Sequence, residues 1–222
     1  MNKKVEIGKK ILSANEEYAF RNSHLLAERK LLCLNVISSP GSGKTTTLAK
    51  TITMLKNKVR VGVIEGDIKT DMDAEKIRAV GAPAVQIETG GSCHLSAAQV
   101  SEALAKLPLD ELDLILIENV GNLVCPTAFE LGENGKVVVL SVAEGDDKPI
   151  KYPATFAKAK ALLINKIDML QMPDIVDFDI EKVKADAVKL NPDIKIFPIS
   201  ARSGQGMQQW CDWLIKSVQE QA

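Results

Sequence analysis

Ser38-Ser39-Pro40-Gly41-Ser42-Gly43-Lys44-Thr45-Thr46 lies between an apolar run at 31–37 and a helical pattern at about 44–56. That order of strand, glycine-rich turn and helix decides the fold. Small residues let successive backbone N–H groups point inward at phosphate oxygens, and Gly41 and Gly43 supply the backbone freedom. The helix start adds its positive dipole end. Lys44 is placed to reach the β and γ phosphates, and the Thr45 hydroxyl to bind Mg²⁺. The usual pattern, G-x-x-x-x-G-K-[ST], has Ser38 at its first position here.

Outward from this stretch the chain alternates. Apolar runs recur at 59–64, 83–87, 112–117, 136–142, 160–164 and 194–199, and continuous runs read as strands buried on both faces. Helical patterns lie at about 72–80, 95–106, 151–157, 179–190 and 206–219. The alternation predicts a doubly wound α/β fold, a P-loop NTPase with a mostly parallel sheet of about seven strands. Ligands of such folds bind beyond the carboxyl ends of the strands. Ile11, Leu12, Tyr18, Phe20, Leu25 and Leu26 recur at helical spacing before the first strand. They predict an N-terminal helical extension at 1–29 leaning on a P-loop domain at 30–222.

The strand at 160–164 ends in Asn165-Lys166-Ile167-Asp168. A carboxylate at Asp168 can accept from the ring N–H and the exocyclic amine of guanine, whereas adenine offers no such pair of donors. Lys166 can lie over the purine while Asn165 braces the loop. Ser200-Ala201-Arg202, after the strand at 194–199, resembles the guanine-contacting Ser-Ala-Lys loop of GTPases, with arginine for lysine. The nucleotide-binding set expected is therefore Gly41, Ser42, Gly43, Lys44, Thr45, Thr46, Asn165, Lys166, Asp168, Ser200, Ala201 and Arg202.

Two more strand ends carry acids. Glu65-Gly66-Asp67 is followed by Asp71 and Asp73, and Glu118-Asn119-Val120-Gly121 sits where GTPases carry Asp-x-x-Gly. Thr45, Asp67, Asp73 and Glu118 are the expected Mg²⁺ side, with Lys44, Asp67 and Glu118 as the catalytic set. Gly121 is placed to offer its N–H to the γ-phosphate. No glutamine takes the water-positioning place, so slow hydrolysis is expected.

Cys93 and His94 follow Gly90-Gly91-Ser92, and Cys125 follows the Glu118–Gly121 stretch by four residues. Thiolate and imidazole suit Ni²⁺ or Zn²⁺, and three ligands leave a position open. On spacing alone, packing is the better account of a cysteine beside a histidine. Cys33 and Cys211 read as packing, and His24 as a surface or interface residue.

Composition narrows the rest. Of 222 residues, 45% are hydrophobic and 26% charged, as in a well-packed globular domain. The net charge of -1 argues against a broad nucleic-acid or acidic-membrane surface. No apolar run reaches the roughly 18 residues of a membrane span, and no apolar segment of a secretory signal follows Met1-Asn2-Lys3-Lys4. The four cysteines form no Cys-x-x-Cys pair, which points to reduced thiols and the cytoplasm.

Residues 38–46, Gly91-Ser92-Cys93-His94-Leu95, Glu118 to Pro126, Glu144 to Pro153 and Asn165 to Asp168 together resemble the HypB family, the hydrogenase nickel-incorporation GTPases. The resemblance runs from about residue 30 to the C-terminus. It implies a GTPase of the SIMIBI class that forms a GTP-dependent homodimer and helps deliver nickel to the large subunit of [NiFe]-hydrogenase with a HypA-type nickel chaperone. It also implies that Cys93, His94 and Cys125 form a metal site at the dimer interface. Some members carry an N-terminal cysteine motif or histidine tract. Met1 to Lys30 has no cysteine and only His24, so high-affinity N-terminal nickel binding is not expected. Lys148 and Lys151, on a proline-bracketed loop, are candidates to reach a partner subunit's nucleotide. Other readings are a urease-type accessory GTPase, a metal-independent regulatory GTPase and an ATP-dependent kinase. The adjacency of Cys93 and His94 argues against the first, the three ligands against the second and Asp168 against the third.

Overall fold

A computed structural model describes the backbone of residues 7–67, 72–172 and 174–221, and the side chains of 14–66, 73–172 and 174–221. Its centre is a seven-stranded sheet, all of whose pairings are parallel. The strands are β1 (Leu32–Ser38), β2 (Val61–Asp67), β3 (Ala84–Glu88), β4 (Leu114–Gly121), β5 (Gly135–Ser141), β6 (Ala159–Asn165) and β7 (Lys195–Pro198). They lie in the order β3-β2-β4-β1-β5-β6-β7. β1 is therefore central, with β4 and β5 as its neighbours, and the loop after it opens at the middle of the carboxyl edge.

The helices are α1 (Ile7–Glu28), α2 (Lys44–Leu55), α3 (Met72–Ala79), α4 (Ala97–Leu104), α5 (Cys125–Ala128), α6 (Lys148–Lys151), α7 (Pro153–Ala157), α8 (Ile180–Leu190) and α9 (Met207–Gln219). Strand residues alternate between two covered faces, which explains the unbroken apolar runs. Leu34, Val36, Val137, Val139 and Leu163 pack under α2 and α9 against Leu48, Ile52, Trp210 and Leu214. On the opposite face Cys33, Ile115 and Ile117 meet Leu26 of α1 and Val100 and Leu104 of α4. Ile37, Val138, Leu140, Leu162 and Ile164 meet Phe156 of α7 and Val183 of α8.

Three expectations change in detail. The helix expected from 95 begins at Ala97, because Ser96 caps it reciprocally with Gln99. Lys148 and Lys151 sit on a helical turn rather than a loop, with Lys151 paired to Asp147 at 2.5 Å. The N-terminal segment forms one helix, and its buried side is Ala19, Asn22 and Leu26, while Tyr18 and Phe20 face solvent. Close approach explains that choice. A Cβ on Gly132, whose φ is +94°, would meet the Ala19 carbonyl oxygen at 2.5 Å and Asn22 Cβ at 2.6 Å, so only small or short residues fit across this contact. Asn22 Nδ2 donates to the carbonyls of Ala97 and Leu131, and Asn15 Oδ1 accepts from the Ala97 N–H. α1 is thus tied to the start of α4.

Candidate functional site

The loop after β1 turns on Gly41 and Gly43, with φ of +77° and +92°. An L residue would be strained at either. At Gly43 space is also closed, since an added Cβ would lie 2.6 Å from Asn165 Nδ2. Lys44 is 8% exposed and donates to Ser38 Oγ at 2.8 Å. The serine at the departed first position thus serves as a resting partner for the lysine. Burial lowers the Lys44 pKa, and the charges of Glu118, Glu65, Glu144 and Asp73 oppose that shift.

Thr45 Oγ1 donates to Glu118 Oε1 at 2.9 Å. Two of the four residues expected on the Mg²⁺ side are therefore in contact. Glu118 Oε2 and Glu65 Oε1 are buried without a hydrogen-bond partner. Burial pushes the Glu65 carboxyl up to about 10, and the neighbouring Glu118 adds to the shift. Glu118 is likewise raised by burial, against the pull of Lys44 and Thr45. Buried carboxylate oxygens in want of a partner beside a threonine hydroxyl suit a hard divalent cation. Asp73 lines the same cleft and pairs with Lys76 at 2.7 Å. Asp67 closes β2, but its side chain lies outside the described residues, as does Asp71.

Glu65 and Glu144 carry no weight in the sequence reading, yet both face the cradle. Period-two alternation could have flagged Glu65, since it stands two positions before the strand-end acid Asp67. Ser42 Oγ donates to Glu144 Oε1 at 2.5 Å, and no local sequence signal announces that long-range contact.

Asn165 joins three loops. Its Nδ2 donates to the Ser42 carbonyl at 2.9 Å, and its Oδ1 accepts from the N–H groups of Lys166 and Ala201 at 2.8 and 3.1 Å. Lys166 Nζ reaches back to the Gly41 carbonyl at 2.7 Å. Ser200 and Ala201 are buried behind this junction and Arg202 is exposed. Asp168 Oδ1 is buried with no hydrogen-bond partner. An acceptor in that condition is ready for donors that a ligand supplies.

The second cluster lies beyond β4. The ligand atoms of Cys93, His94 and Cys125 all lie within 4.8 Å of one another, with Cys93 Sγ 3.4 Å from His94 Nδ1. Gly90 and Gly91, at φ of +61° and +98°, turn the chain so that adjacent residues converge. His94 stacks on Phe129, with ring centroids 3.8 Å apart, and burial lowers its pKa. The Cys93 thiol is raised by its hydrogen bond with Cys125. Two sulfurs and an imidazole fit a borderline-soft ion such as Ni²⁺ or Zn²⁺. Cys33 and Cys211 are buried, their thiols raised by burial, and His24 is exposed, as packing and surface positions should be.

Residues 32–198 match the CobW/HypB/UreG nucleotide-binding domain. The hydrogenase maturation factor HypB of Escherichia coli K12 is 52% identical over 210 residues, which cover 95% of this chain and 71% of that protein. The chain belongs to the HypB family. Crystal structures of relatives agree with its fold. HypB from Archaeoglobus fulgidus aligns at a TM-score of 0.85 and 40% identity, over 93% of this chain and 100% of that one. HypB from Helicobacter pylori, solved in complex with nickel, aligns at 0.86 and 38%, over 93% and 96%. The HypB-family chain thus has a P-loop NTPase fold, and among its described residues no helix is long and apolar enough to cross a membrane.

Proposed function

We propose that this chain is a GTP-hydrolysing metallochaperone that assists nickel insertion into [NiFe]-hydrogenase, acting in the cytoplasm. The observation that carries the reading is one of placement. β4 bears Glu118 in the phosphate cleft, and four residues beyond its last residue, Gly121, the chain supplies Cys125 to the sulfur–imidazole corner. One strand end thus serves both sites.

The chemistry follows from the residues. The backbone of 41–46 and Lys44 hold the phosphates, while Asp168, with Asn165 fixing its loop, accepts from guanine. Thr45, Glu118, Asp67 and Asp73 are the residues that would hold Mg²⁺, which neutralises charge between the β and γ phosphates when bound. Lys44 stabilises the negative charge that builds on the leaving oxygens, and Gly121 is placed to sense the γ-phosphate. Nickel, with zinc as its chemical competitor, is the cargo of Cys93, His94 and Cys125. Three ligands leave coordination incomplete, which suits transfer rather than storage. A second copy brought by GTP would add its own set. The names of the relatives support the hydrogenase as target, and a HypA-type chaperone and the hydrogenase large subunit complete the proposed partners.

The test is calorimetric titration of Ni²⁺ into wild type and Cys93→Ala, each with GDP or a non-hydrolysable GTP analogue. Binding that depends on nucleotide and is lost in Cys93→Ala is expected. Nickel binding absent in both nucleotide states, with GTP turnover intact, would reduce the protein to a switch with structural cysteines.

A further inference from the structure

The peptide groups on both sides of His94 are held by asparagines from the end of β4. Asn119 Oδ1 accepts from the Leu95 N–H at 3.2 Å, and Asn122 Nδ2 donates to the Cys93 carbonyl at 3.3 Å. Asn119 directly follows Glu118, whose carboxylate touches Thr45. Its side chain is 1% exposed, and it is anchored from behind. Asn119 Nδ2 donates to Asn35 Oδ1 at 3.1 Å, and Asn35 Nδ2 donates to Glu133 Oε1 at 3.0 Å. Glu133 is in turn paired with buried Lys136 at 2.8 Å. Burial would lower the Lys136 pKa, but Glu133 and Glu130 hold it raised and charged.

A second contact grips the same point. A Cβ on Gly66 of β2 would meet Leu95 Cδ1 at 2.8 Å and Cγ at 2.9 Å, so Leu95 rests directly on the backbone between Glu65 and Asp67. Leu95 is fully buried, so its N–H has no water to turn to if Asn119 leaves. The residue after His94 is thereby clasped between the two strands whose ends bear the acids of the phosphate cleft.

We propose that Asn119 and Asn122 are a pair of positioning residues that transmit nucleotide state to the Cys93–His94 loop. This rests on the metal-carrier reading above. Neither residue is a metal ligand, and Asn119 lines the phosphate cleft beside Glu118. A rearrangement at Glu118, when phosphates and Mg²⁺ engage Thr45, passes one residue along the strand to Asn119. From there it reaches the peptide joining His94 to Leu95. Asn122 carries the same displacement to the peptide on the other side of His94. Movement of both peptides rotates the imidazole and the Cys93 sulfur relative to Cys125, and metal affinity changes with nucleotide state. Reciprocity requires that the metal alter nucleotide affinity by the same factor.

The experiment titrates Ni²⁺ into full-length wild type, Asn119→Leu and Asn122→Ala, with GDP and with a non-hydrolysable GTP analogue, and measures analogue affinity with and without Ni²⁺. Wild type should show an affinity ratio between nucleotide states on the order of 10-fold in both directions of the cycle. Asn119→Leu should bind Ni²⁺ with GDP within about threefold of wild type while its ratio falls to about twofold or less. Asn122→Ala removes a half-buried side chain and keeps the core, so it decides the matter if Asn119→Leu does not fold. Its ratio should fall about threefold. Wild-type ratios in the folded variants would overturn the proposal. A wild type with no ratio at all would instead overturn the metal-carrier reading itself.

Discussion

The nucleotide cradle and the sulfur–imidazole corner are built to opposite standards. In the cradle, side chains bind backbone. Asn165 alone closes contacts to the Ser42 carbonyl and to the Lys166 and Ala201 N–H groups, and Lys166 reaches the Gly41 carbonyl. Backbone positions fixed in this way do not drift, and electrostatic stabilisation depends on that fixity. In the corner, Cys93 is exposed and Cys125 half-buried, and the ligands are steered by few contacts: one asparagine on each flank of His94, Leu95 against Gly66 and one aromatic ring. Under the metal-carrier proposal, a site that must release its cargo is better served by the second design. The difference teaches that the cradle is preorganised while the corner is adjustable.

The sharpest way to break this comparison is Lys44→Ala. GTP turnover should fall by about 10²–10³-fold, the size of losing one preorganised charge donor, while Ni²⁺ binding without nucleotide stays at the wild-type value in titration. Lost nickel binding would mean that the two regions are one site. Asn165→Ala comes next. It strands two N–H groups and a carbonyl in a buried junction, at about 1–3 kcal/mol for each group left unsatisfied. A large drop in denaturation midpoint with weakened GTP binding is expected, and an unchanged midpoint would show that the cradle is not braced there. Phe129→Ala should act on the corner alone. Removal of the stack under His94 is worth about 0.5–1.5 kcal/mol beyond lost area, so Ni²⁺ affinity should drop several-fold with GTP turnover unaltered. Equal nickel affinity would leave the ring a mere lid.

A separate prediction concerns protons. With its pKa raised from the ordinary carboxylate range to about 10, Glu65 keeps a proton in the folded, ligand-free protein that the unfolded chain gives up. The native state then binds more protons between those limits, so stability should decline as pH rises through this window. Glu118, Asp73 and Lys44 face the same carboxyl and shape the slope. Glu65→Gln should flatten the decline in denaturant melts run at about pH 5.5 and 8.5. Parallel declines in the two proteins would place the titration elsewhere.

The sheet was legible because its signal is local. Buried parallel strands read as continuous apolar runs, and the phosphate loop from Ser38 and the base-reading Asn165 stand where such runs end. Glu118 on β4 was legible for the same reason, as an acid at a strand end. Glu144 was not, because its contact with Ser42 spans 102 positions and depends on β5 lying beside β1. Nor was the Asn35–Asn119 pair, since two asparagines inside apolar strands look like interruptions until the parallel register of β1 and β4 brings them side by side. The buried side of α1 was misjudged because apolar spacing favoured Tyr18 and Phe20, whereas the backbone of Gly132 approaches so closely that Ala19 and Asn22 face it instead.

α9 gives the molecule an optical signature. Both tryptophans of the chain lie on it, Trp210 and Trp213, with ring centroids 5.3 Å apart and planes 21° from parallel. Trp210 Nε1 donates to Thr51 Oγ1 of α2 at 3.0 Å, on the helix that begins at Lys44. Stacked indoles at that separation couple their transitions, so near-ultraviolet dichroism should carry an exciton band that vanishes when α9 lifts from α2. The emission of the pair then reports the integrity of the lysine-bearing helix without any dye, and it does so from the packed face opposite α4.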